Sequence, residues 1–351
     1  MPPSRALRFQ GPGRLELDTV DVPEPAAGDA LVRMRCCGIC GTDLHIYEDG
    51  WRVSPGQVLG HEFAGEIVSA PDGGGLREGQ RVIVNPMLAC GECSACRADR
   101  QNMCFARRGT IGITEAGAFA DYVLVRQARL GRELLEIPDG VSDAAAALTE
   151  PLAVGLHAVA VSELEDGDCV VVLGAGMIGL CVTRWLAVEG AQRIVAVDPL
   201  KLRRDAALLH GATAALDPVE RSYEQQLRDL LRGARRSGRA DVVIDCAGAQ
   251  GILEQAVSIA RPGGRLTLAA VQSGQGCLSA MRMLDKELTA RGAMAYTAPD
   301  FARSLDHVVE HADGVETLIS DRFELADVVA GFHRQLDREN SVKVMISNET
   351  R

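Results

Sequence analysis

The most constraining feature of the chain is a glycine motif set between an apolar strand and a helix. The run CVVVL at 169–173 has the composition of a buried strand, and the segment MIGLCVTRWLAVEG at 177–190 has that of a helix. The motif Gly174-Ala-Gly176-Met-Ile-Gly179 joins them. Gly174 permits a tight turn, Gly176 admits a pyrophosphate, and Gly179 allows the helix to pack closely on the strand. The segment predicts a dinucleotide-binding site.

The neighbouring residues indicate which dinucleotide is bound. Met177 and Ile178 are candidate contacts because they open the helix, whose N-terminus faces an anion. Asp198 ends the next apolar strand, 19 residues after Gly179. A carboxylate there accepts hydrogen bonds from ribose hydroxyls and repels a 2′-phosphate, which favours NAD over NADP. Either Arg203 or Arg204 can pair with a phosphate, so Arg203 is also a candidate contact, but we expect both to be solvated on an exposed helix face.

The hydrophobic pattern divides the chain into two predicted domains. Continuous apolar strands alternate with helices over 156–289, which is typical of a doubly wound parallel sheet, the Rossmann arrangement. Short alternating runs separated by Gly, Pro and Asp over 1–155 are typical of a β-rich domain. We expect the mixed segment 290–351 to return to that first domain. The predicted fold class is α/β.

Four cysteines predict a structural metal site. Cys90, Cys93, Cys96 and Cys104 lie within 15 residues. Zinc binds four thiolates tetrahedrally, and closely spaced cysteines on a turning loop surround one ion at little ordering cost. The alternative is a loop of reduced thiols. We expect a closed zinc site that stabilises a lobe and takes no part in the reaction.

A second set of ligand-type residues is dispersed along the β-rich segment. It consists of Cys40 in CGICGTDLH, His61 and Glu62 in GHEFAGE, and Glu150 in TEPLAV. Three mixed protein ligands and a water describe an open, catalytic zinc site. Taken singly, each residue has a structural explanation as a core cysteine, a strand-end histidine or a helix-start glutamate.

Charge and hydropathy exclude several classes of partner. The chain has 37 Lys and Arg against 48 Asp and Glu, so its net charge of −11 disfavours nucleic-acid binding. The longest uncharged apolar run, 169–183, is shorter than the roughly 20 residues that a membrane helix needs. We also find no secretory signal pattern, and eleven cysteines without one favour metal or thiol chemistry. We therefore expect a cytoplasmic protein.

Together these motifs resemble the zinc-dependent medium-chain dehydrogenase/reductase (alcohol dehydrogenase) family, in its polyol, butanediol and threonine dehydrogenase branch. The matching segments are GICGTDLHIYEDG, GHEFAGEIV, CGECSACRADRQNMC, TEPLAVGLHAV and GAGMIG. The resemblance implies a discontinuous GroES-like catalytic domain, a Rossmann domain, two zinc ions per chain, NAD, and assembly into homodimers or homotetramers. It also implies that Cys40, His61 and either Glu62 or Glu150 bind the catalytic zinc.

The resemblance further implies roles for two residues near Cys40, and the chemistry of metal-ligating histidines predicts a role for a third. Thr42 and His45 would carry the alcohol proton to solvent, and His45 suits the last step because the usual pKa of histidine is near 6.5. The alternatives are a turn hydroxyl and a surface histidine. Asp43 would orient the ring of His61 through its second nitrogen.

The predicted function is reversible, zinc-dependent oxidation of a secondary alcohol by NAD. The substrate would be a small polar molecule such as a polyol, sugar, cyclitol or diol, and the product a ketone. The main alternative is an L-threonine 3-dehydrogenase, suggested by CGICGTDLHIYEDGW and sharing the same machinery. A non-catalytic nucleotide-binding protein of this fold would leave the ligand-type residues unexplained.

Overall fold

The computed structural model of the protein describes residues 4–72, 75–232, 238–272 and 276–348. Its strands are β1 (Ser4–Gly11), β2 (Arg14–Val20), β3 (Ala30–Gly38), β4 (Glu62–Ser69), β5 (Arg81–Val84), β6 (Met87–Leu88), β7 (Gly109–Thr110), β8 (Tyr122–Val125), β9 (Leu134–Glu136), β10 (Cys169–Leu173), β11 (Arg193–Val197), β12 (Ala214–Leu216), β13 (Ala240–Asp245), β14 (Ala260–Leu268), β15 (Thr289–Gly292), β16 (Asp321–Glu324) and β17 (Val344–Ser347).

The α-helices account for most of the remaining regular structure. They are α1 (Gly41–Asp49), α2 (Ser94–Arg97), α3 (Asp143–Ala147), α4 (Thr149–Val161), α5 (Met177–Val188), α6 (Lys201–Leu209), α7 (Tyr223–Arg232), α8 (Ile252–Ile259), α9 (Ala280–Lys286), α10 (Ala298–Glu316) and α11 (Val328–Leu336). Short 3₁₀ turns cover Gln101–Met103 and Leu325–Asp327.

The chain divides into two compact units. Unit 1 comprises the chain up to Glu150 and from Thr297 onward, and unit 2 is Pro151–Tyr296. The predicted boundaries were 155 and 290, and the first of them falls inside α4, whose apolar sequence runs across the division without a break. The outermost ends of the predicted catalytic domain, 1–3 and 349–351, lie outside the described residues.

Unit 1 is built on a mostly antiparallel sheet of order β16-β17-β3-β4-β5-β9, with β8 also paired to β3. The C-terminal strand β17 runs antiparallel to β3, so the end of the chain joins the first unit. The core is aliphatic with a few rings, among which Phe119 and Phe332 meet edge to face at 5.5 Å.

Unit 2 is a six-stranded parallel sheet of order β12-β11-β10-β13-β14-β15. Numbered from β10, this is the Rossmann order 3-2-1-4-5-6. Every residue of β10 and β13 is buried, as expected for central strands covered on both faces. The reversal of strand order falls between β10 and β13, where α/β folds bind ligands.

One segment has the length and composition of a membrane span. The stretch Asp143–Val161 has a mean hydropathy of 1.5 over its most apolar window, and 78% of that window is buried inside the protein. Burial of this kind is usual for a core helix of a folded domain.

A buried carboxylate fastens the first strand to unit 1. Asp121 accepts hydrogen bonds from the backbone N–H of Arg5 at 2.6 Å, from the Arg5 guanidinium at 2.7 Å and from Asn348 at 3.1 Å. Burial alone would raise the pKa of Asp121, but these donors outweigh it and hold the pKa below its usual value.

We predict that Asp121→Asn lowers the free energy of unfolding by about 1–3 kcal/mol at pH 7, because it leaves the Arg5 guanidinium poorly paired. The contribution of a carboxylate whose pKa is lowered in the folded state is present above the unfolded pKa of about 4 and disappears as the pH falls through the folded pKa. The difference between wild type and variant in denaturant unfolding should therefore shrink below pH 4.

The matched control for this experiment is Asp18→Asn. Asp18 is 36% exposed and lies 3.9 Å from Arg8, so its loss should change stability by less than about 0.5 kcal/mol. A variant at Asp121 as stable as that control would show that the pairing contributes nothing.

Candidate active site

Two adjacent strands bring the dispersed ligand-type residues together. Gly38, the last residue of β3, pairs directly with Glu62, the first residue of β4. Cys40 follows Gly38 by two residues, and His61 immediately precedes Glu62. The antiparallel register therefore places both at the same end of the sheet.

The resulting cluster has the ligand chemistry of a zinc site. Ligand atoms of Cys40, His61 and Glu62 lie within 4.8 Å of one another. Thiolate, imidazole and carboxylate are all donors that zinc accepts in catalytic sites. Glu150, in the first turn of α4, lies outside this group among the described residues, although its charge acts on His61. The geometry thus favours Glu62 over Glu150 as the third ligand.

The electrostatics of the cluster also fit a cation. Burial raises the pKa of Cys40 and that of Asp43 above their usual values. Burial alone would lower the pKa of His61, but the negative charges of Asp43 and Cys40 outweigh it and raise that pKa well above 6.5. A thiol and carboxylates gathered in a buried site are groups whose ionised forms a divalent ion would stabilise.

Asp43 organises the protein side of the cluster. Its carboxylate accepts hydrogen bonds from the backbone N–H of Cys40 at 2.9 Å and from that of Gly60 at 3.3 Å. It also lies 3.7 Å from Nδ1 of His61, a buried nitrogen without a hydrogen-bond partner at normal distance. This geometry is consistent with the predicted role of Asp43 as the residue that orients the imidazole.

Thr42 and His45 lie on the helix that begins after Cys40. They are three residues apart on α1, so they share one face, and both are partly exposed. Asp43, Leu44 and Ile46 of the same helix are buried. The predicted relay residues therefore lie on the less buried side of this helix.

The four cysteines predicted to bind a structural zinc, at positions 90, 93, 96 and 104, form a compact sulfur cluster. The Sγ–Sγ distances are 3.5 Å for Cys93–Cys96, 3.6 Å for Cys104–Cys90, and 3.9 Å for both Cys90–Cys96 and Cys93–Cys104. A zinc ion with bonds of about 2.3 Å requires tetrahedral sulfur separations of about 3.8 Å. A disulfide bond requires about 2.05 Å. The cluster therefore has the dimensions of a zinc site.

The backbone of the lobe favours ionised sulfur. The N–H groups of Glu92 and Cys93 point at Sγ of Cys90, each at 3.4 Å, and lower the pKa of Cys90 to about 6. Burial, together with the neighbouring thiols, raises the pKa of Cys96 to about 12. Four sulfurs this close carry full thiolate charge only around a cation.

In unit 2 the glycine motif has the predicted tight geometry. Gly174 is left-handed at φ +90°, and a Cβ there would lie 2.8 Å from Cβ of Ala247. A Cβ on Gly179 would collide with the carbonyl oxygen of Gly174. Gly176 precedes Met177 and Ile178, the first residues of α5, where backbone N–H groups have no acceptor within the helix. The motif leaves room and donors for a pyrophosphate.

Asp198 lies beside this motif. Its carboxylate accepts hydrogen bonds from the N–H of Ala175 at 2.8 Å and from that of Leu200 at 2.9 Å. The expectation that Arg203 and Arg204 are solvated was wrong, since their side chains are only 19% and 18% exposed.

Nearby carboxylates and carbonyls explain this burial of the two arginines. Arg203 lies 3.9 Å from the Asp198 carboxylate, while Arg204 donates to the Asp198 carbonyl at 2.8 Å and pairs with Asp217 at 3.1 Å.

Two residues of the catalytic cluster were not predicted. Lys343 forms a buried ion pair with Glu62, and Gly38 leaves the space in which the two side chains meet. The sequence does contain a signal for this ion pair, because a single lysine lies inside the apolar run SVKVMIS. A charged residue among buried strand positions requires a partner of opposite charge.

A zinc site of mixed ligands in one unit and a Rossmann sheet in the other define a dinucleotide-dependent dehydrogenase. Two family models match the chain: the alcohol dehydrogenase GroES-like domain over residues 26–139 and the zinc-binding dehydrogenase over residues 178–310. The chain belongs to the zinc-dependent medium-chain alcohol dehydrogenase family.

Several known proteins are similar to this chain over nearly their whole length. L-galactonate-5-dehydrogenase of Escherichia coli K12 is 32% identical over 94% of each chain. L-threonine 3-dehydrogenase of Francisella philomiragia is 31% identical over 92% of each. The crystal structure of a zinc-binding dehydrogenase from Sinorhizobium meliloti 1021, bound to NADP, is 30% identical with a TM-score of 0.86, covering 99% of this chain and 100% of that one. This protein is accordingly a zinc-dependent oxidoreductase of secondary alcohols.

We predict that Cys96→Ser reduces the zinc content by one ion per chain and lowers the thermal midpoint, because a serine hydroxyl is a poor replacement for a thiolate ligand. Metal analysis and thermal unfolding of the purified variant measure both effects.

Cys277→Ser is the matched control, because Cys277 is an exposed cysteine outside the sulfur cluster. Its zinc content and thermal midpoint should equal those of wild type. Full zinc content in the Cys96 variant would mean that the four sulfurs do not hold an ion.

Proposed function

We propose that the protein is an NAD-dependent dehydrogenase of a small polyhydroxylated substrate, with catalytic zinc held by Cys40, His61 and Glu62. The observation that carries the proposal is the convergence of a thiol, an imidazole and a carboxylate within 4.8 Å. When bound, zinc acts as a Lewis acid that lowers the pKa of a coordinated hydroxyl. The remaining steps depend on residues of the chain itself.

The proton and the hydride leave the alcohol by different routes. The hydroxyl proton passes to Thr42 and then to His45, which releases it to solvent. NAD held at the glycine motif would accept a hydride from the carbinol carbon, so the alcohol would become a ketone and NAD would become NADH. Asp43 holds Cys40 and His61 in place throughout through the contacts described above.

For the cofactor, we propose that Gly174, Gly176 and Gly179 accommodate the pyrophosphate against the start of α5. Asp198 supports NAD because its buried carboxylate lies next to the motif. Arg203 places a positive charge 3.9 Å from that carboxylate, which reduces its repulsion of a 2′-phosphate. Both cofactors therefore belong in the assay.

We further propose a cytoplasmic homo-oligomer. All eleven cysteines are free, which suits a reducing compartment. The edge strand β15 of the unit 2 sheet has one unpaired side among the described residues. Met281 and Leu284 on the adjacent α9 and Met294 just beyond β15 are more than half exposed. An unpaired edge with apolar neighbours is suited to a second copy of the chain.

The first experiment is a substrate panel with the zinc-loaded protein. Polyols, sugars, sugar acids, aminocyclitols, 2,3-butanediol and L-threonine are each tested with NAD and with NADP, and absorbance of the reduced cofactor is followed. We expect the strongest signal with NAD and a polyhydroxylated alcohol. Preference for L-threonine would replace the proposed substrate class, and no turnover with any compound would contradict the proposal.

We predict that Thr42→Ala lowers kcat by roughly 10²-fold, because the proton loses its first acceptor. Zinc content should remain that of wild type, since Thr42 is not among the clustered ligand residues. Thr42→Ser retains the hydroxyl and should retain most of the activity.

Thr19→Ala, at an exposed position of β2, is the control for loss of a threonine hydroxyl and should be fully active. If Thr42→Ala turns over substrate at the wild-type rate, the relay does not pass through this residue.

A further inference from the structure

A buried ion pair stands directly behind the candidate zinc cluster. Nζ of Lys343 pairs with Oε2 of Glu62, and each side chain is only 1% exposed. The same ammonium donates a hydrogen bond to the carbonyl oxygen of Ile39 at 2.9 Å. Lys343 thus contacts one predicted ligand directly and the backbone next to another, Cys40.

Three adjacent strands create this contact. Gly38 on the central strand β3 pairs with Glu62 on β4 and with Met345 on β17. Lys343 immediately precedes β17, so its side chain and that of Glu62 approach each other from the two flanking strands. They meet across the backbone of Gly38.

Gly38 leaves space for the two side chains. A Cβ at this position would collide with Oε2 of Glu62 and lie 2.7 Å from Cε of Lys343. Its backbone does not have the left-handed φ that favours glycine elsewhere in the chain. The missing side chain therefore makes the gap through which lysine and glutamate meet.

The choice of lysine is informative in this chain. Only three of the 37 basic residues are lysines, at positions 201, 286 and 343. An ammonium is a compact charge whose hydrogen bonds here go to Glu62 and to the carbonyl of Ile39, whereas a guanidinium would bring five N–H donors into the same buried space. The site is built for a single compact positive charge.

We propose that Lys343 is a positioning residue for the catalytic metal: it holds one carboxylate oxygen of Glu62 and leaves the other for the ion shared with Cys40 and His61. Carboxylates that bind metals are commonly fixed by a second hydrogen-bonding partner, whose loss weakens binding by 10- to 100-fold. This inference rests on the proposed catalytic zinc at Cys40, His61 and Glu62.

The principal test is Lys343→Met, which replaces the ammonium by an uncharged chain of similar length. We expect the catalytic zinc to bind about 10- to 100-fold more weakly in competition with a chelator, while the zinc of the four cysteines is retained. In cobalt-substituted protein the ligand-field absorption of the catalytic site should shift, because Glu62 is no longer held in one orientation. Neither readout depends on substrate turnover.

Lys201→Met is the matched control. It also removes a lysine–carboxylate pair, but Lys201 and Asp205 are exposed on α6, so zinc affinity and the cobalt spectrum should not change. Circular dichroism and thermal unfolding of each variant establish that it is folded before metal is measured.

Gly38→Ala is the second variant, and it tests the positioning role of Lys343 if Lys343→Met does not fold. It retains every charge and ligand but separates Lys343 from Glu62, so it should weaken the catalytic zinc in the same direction. Unchanged metal affinity and an unchanged cobalt spectrum in a folded variant would overturn the inference.

The failure of this inference is distinguishable from failure of the proposed function. If wild type binds zinc only at the four cysteines, the proposed catalytic site is wrong. If wild type binds both ions and the folded Lys343 and Gly38 variants bind them with equal affinity, the catalytic site stands and Lys343 does not position it.

Discussion

The candidate active site depends on the antiparallel pairing of β3 with β4. The register that sets Gly38 opposite Glu62 also brings the chain beyond β3, with Cys40, to the chain before β4, with His61. A shift of one residue would turn every side chain of a strand to the opposite face and separate the ligand set. The sheet is therefore the rigid frame for a cluster in which Cys40 lies more than 20 residues before His61 and Glu62 in sequence.

The nucleotide motif shows how far local sequence predicts structure. Its central contact is local: Gly174 and Gly179 meet within one turn, and Asp198 follows directly after the neighbouring strand β11. Glycines set between a continuous apolar strand and a helix permit few other geometries. Likewise, four cysteines within one loop need little else to form a tetrahedral site.

The errors in prediction arose where long-range packing decides the outcome. The sequence suggested that Arg204 would be solvated, but Asp217 on the following loop and two backbone carbonyls hold it against the protein. The sequence left the choice between Glu62 and Glu150 open. The number of residues that separates either glutamate from Cys40 does not show which strands pair or in what register. The edge strand β15 is mostly exposed and has no continuous apolar run, so the hydrophobic pattern does not reveal it.

Charge balance explains why a lysine belongs among the residues of this site. Cys40, Asp43, Glu62 and Glu150 offer four potential negative charges in a largely buried region, and a zinc ion neutralises only two of them. Lys343 neutralises a third without entering the ligand set, because its ammonium contacts Oε2 of Glu62 and a backbone carbonyl. An uncharged residue there would leave a buried carboxylate whose only partner is the metal, which costs several kcal/mol whenever the metal leaves. The ion pair therefore stabilises the fold without metal and restrains Glu62 with it, and a single glycine on the central strand makes both possible.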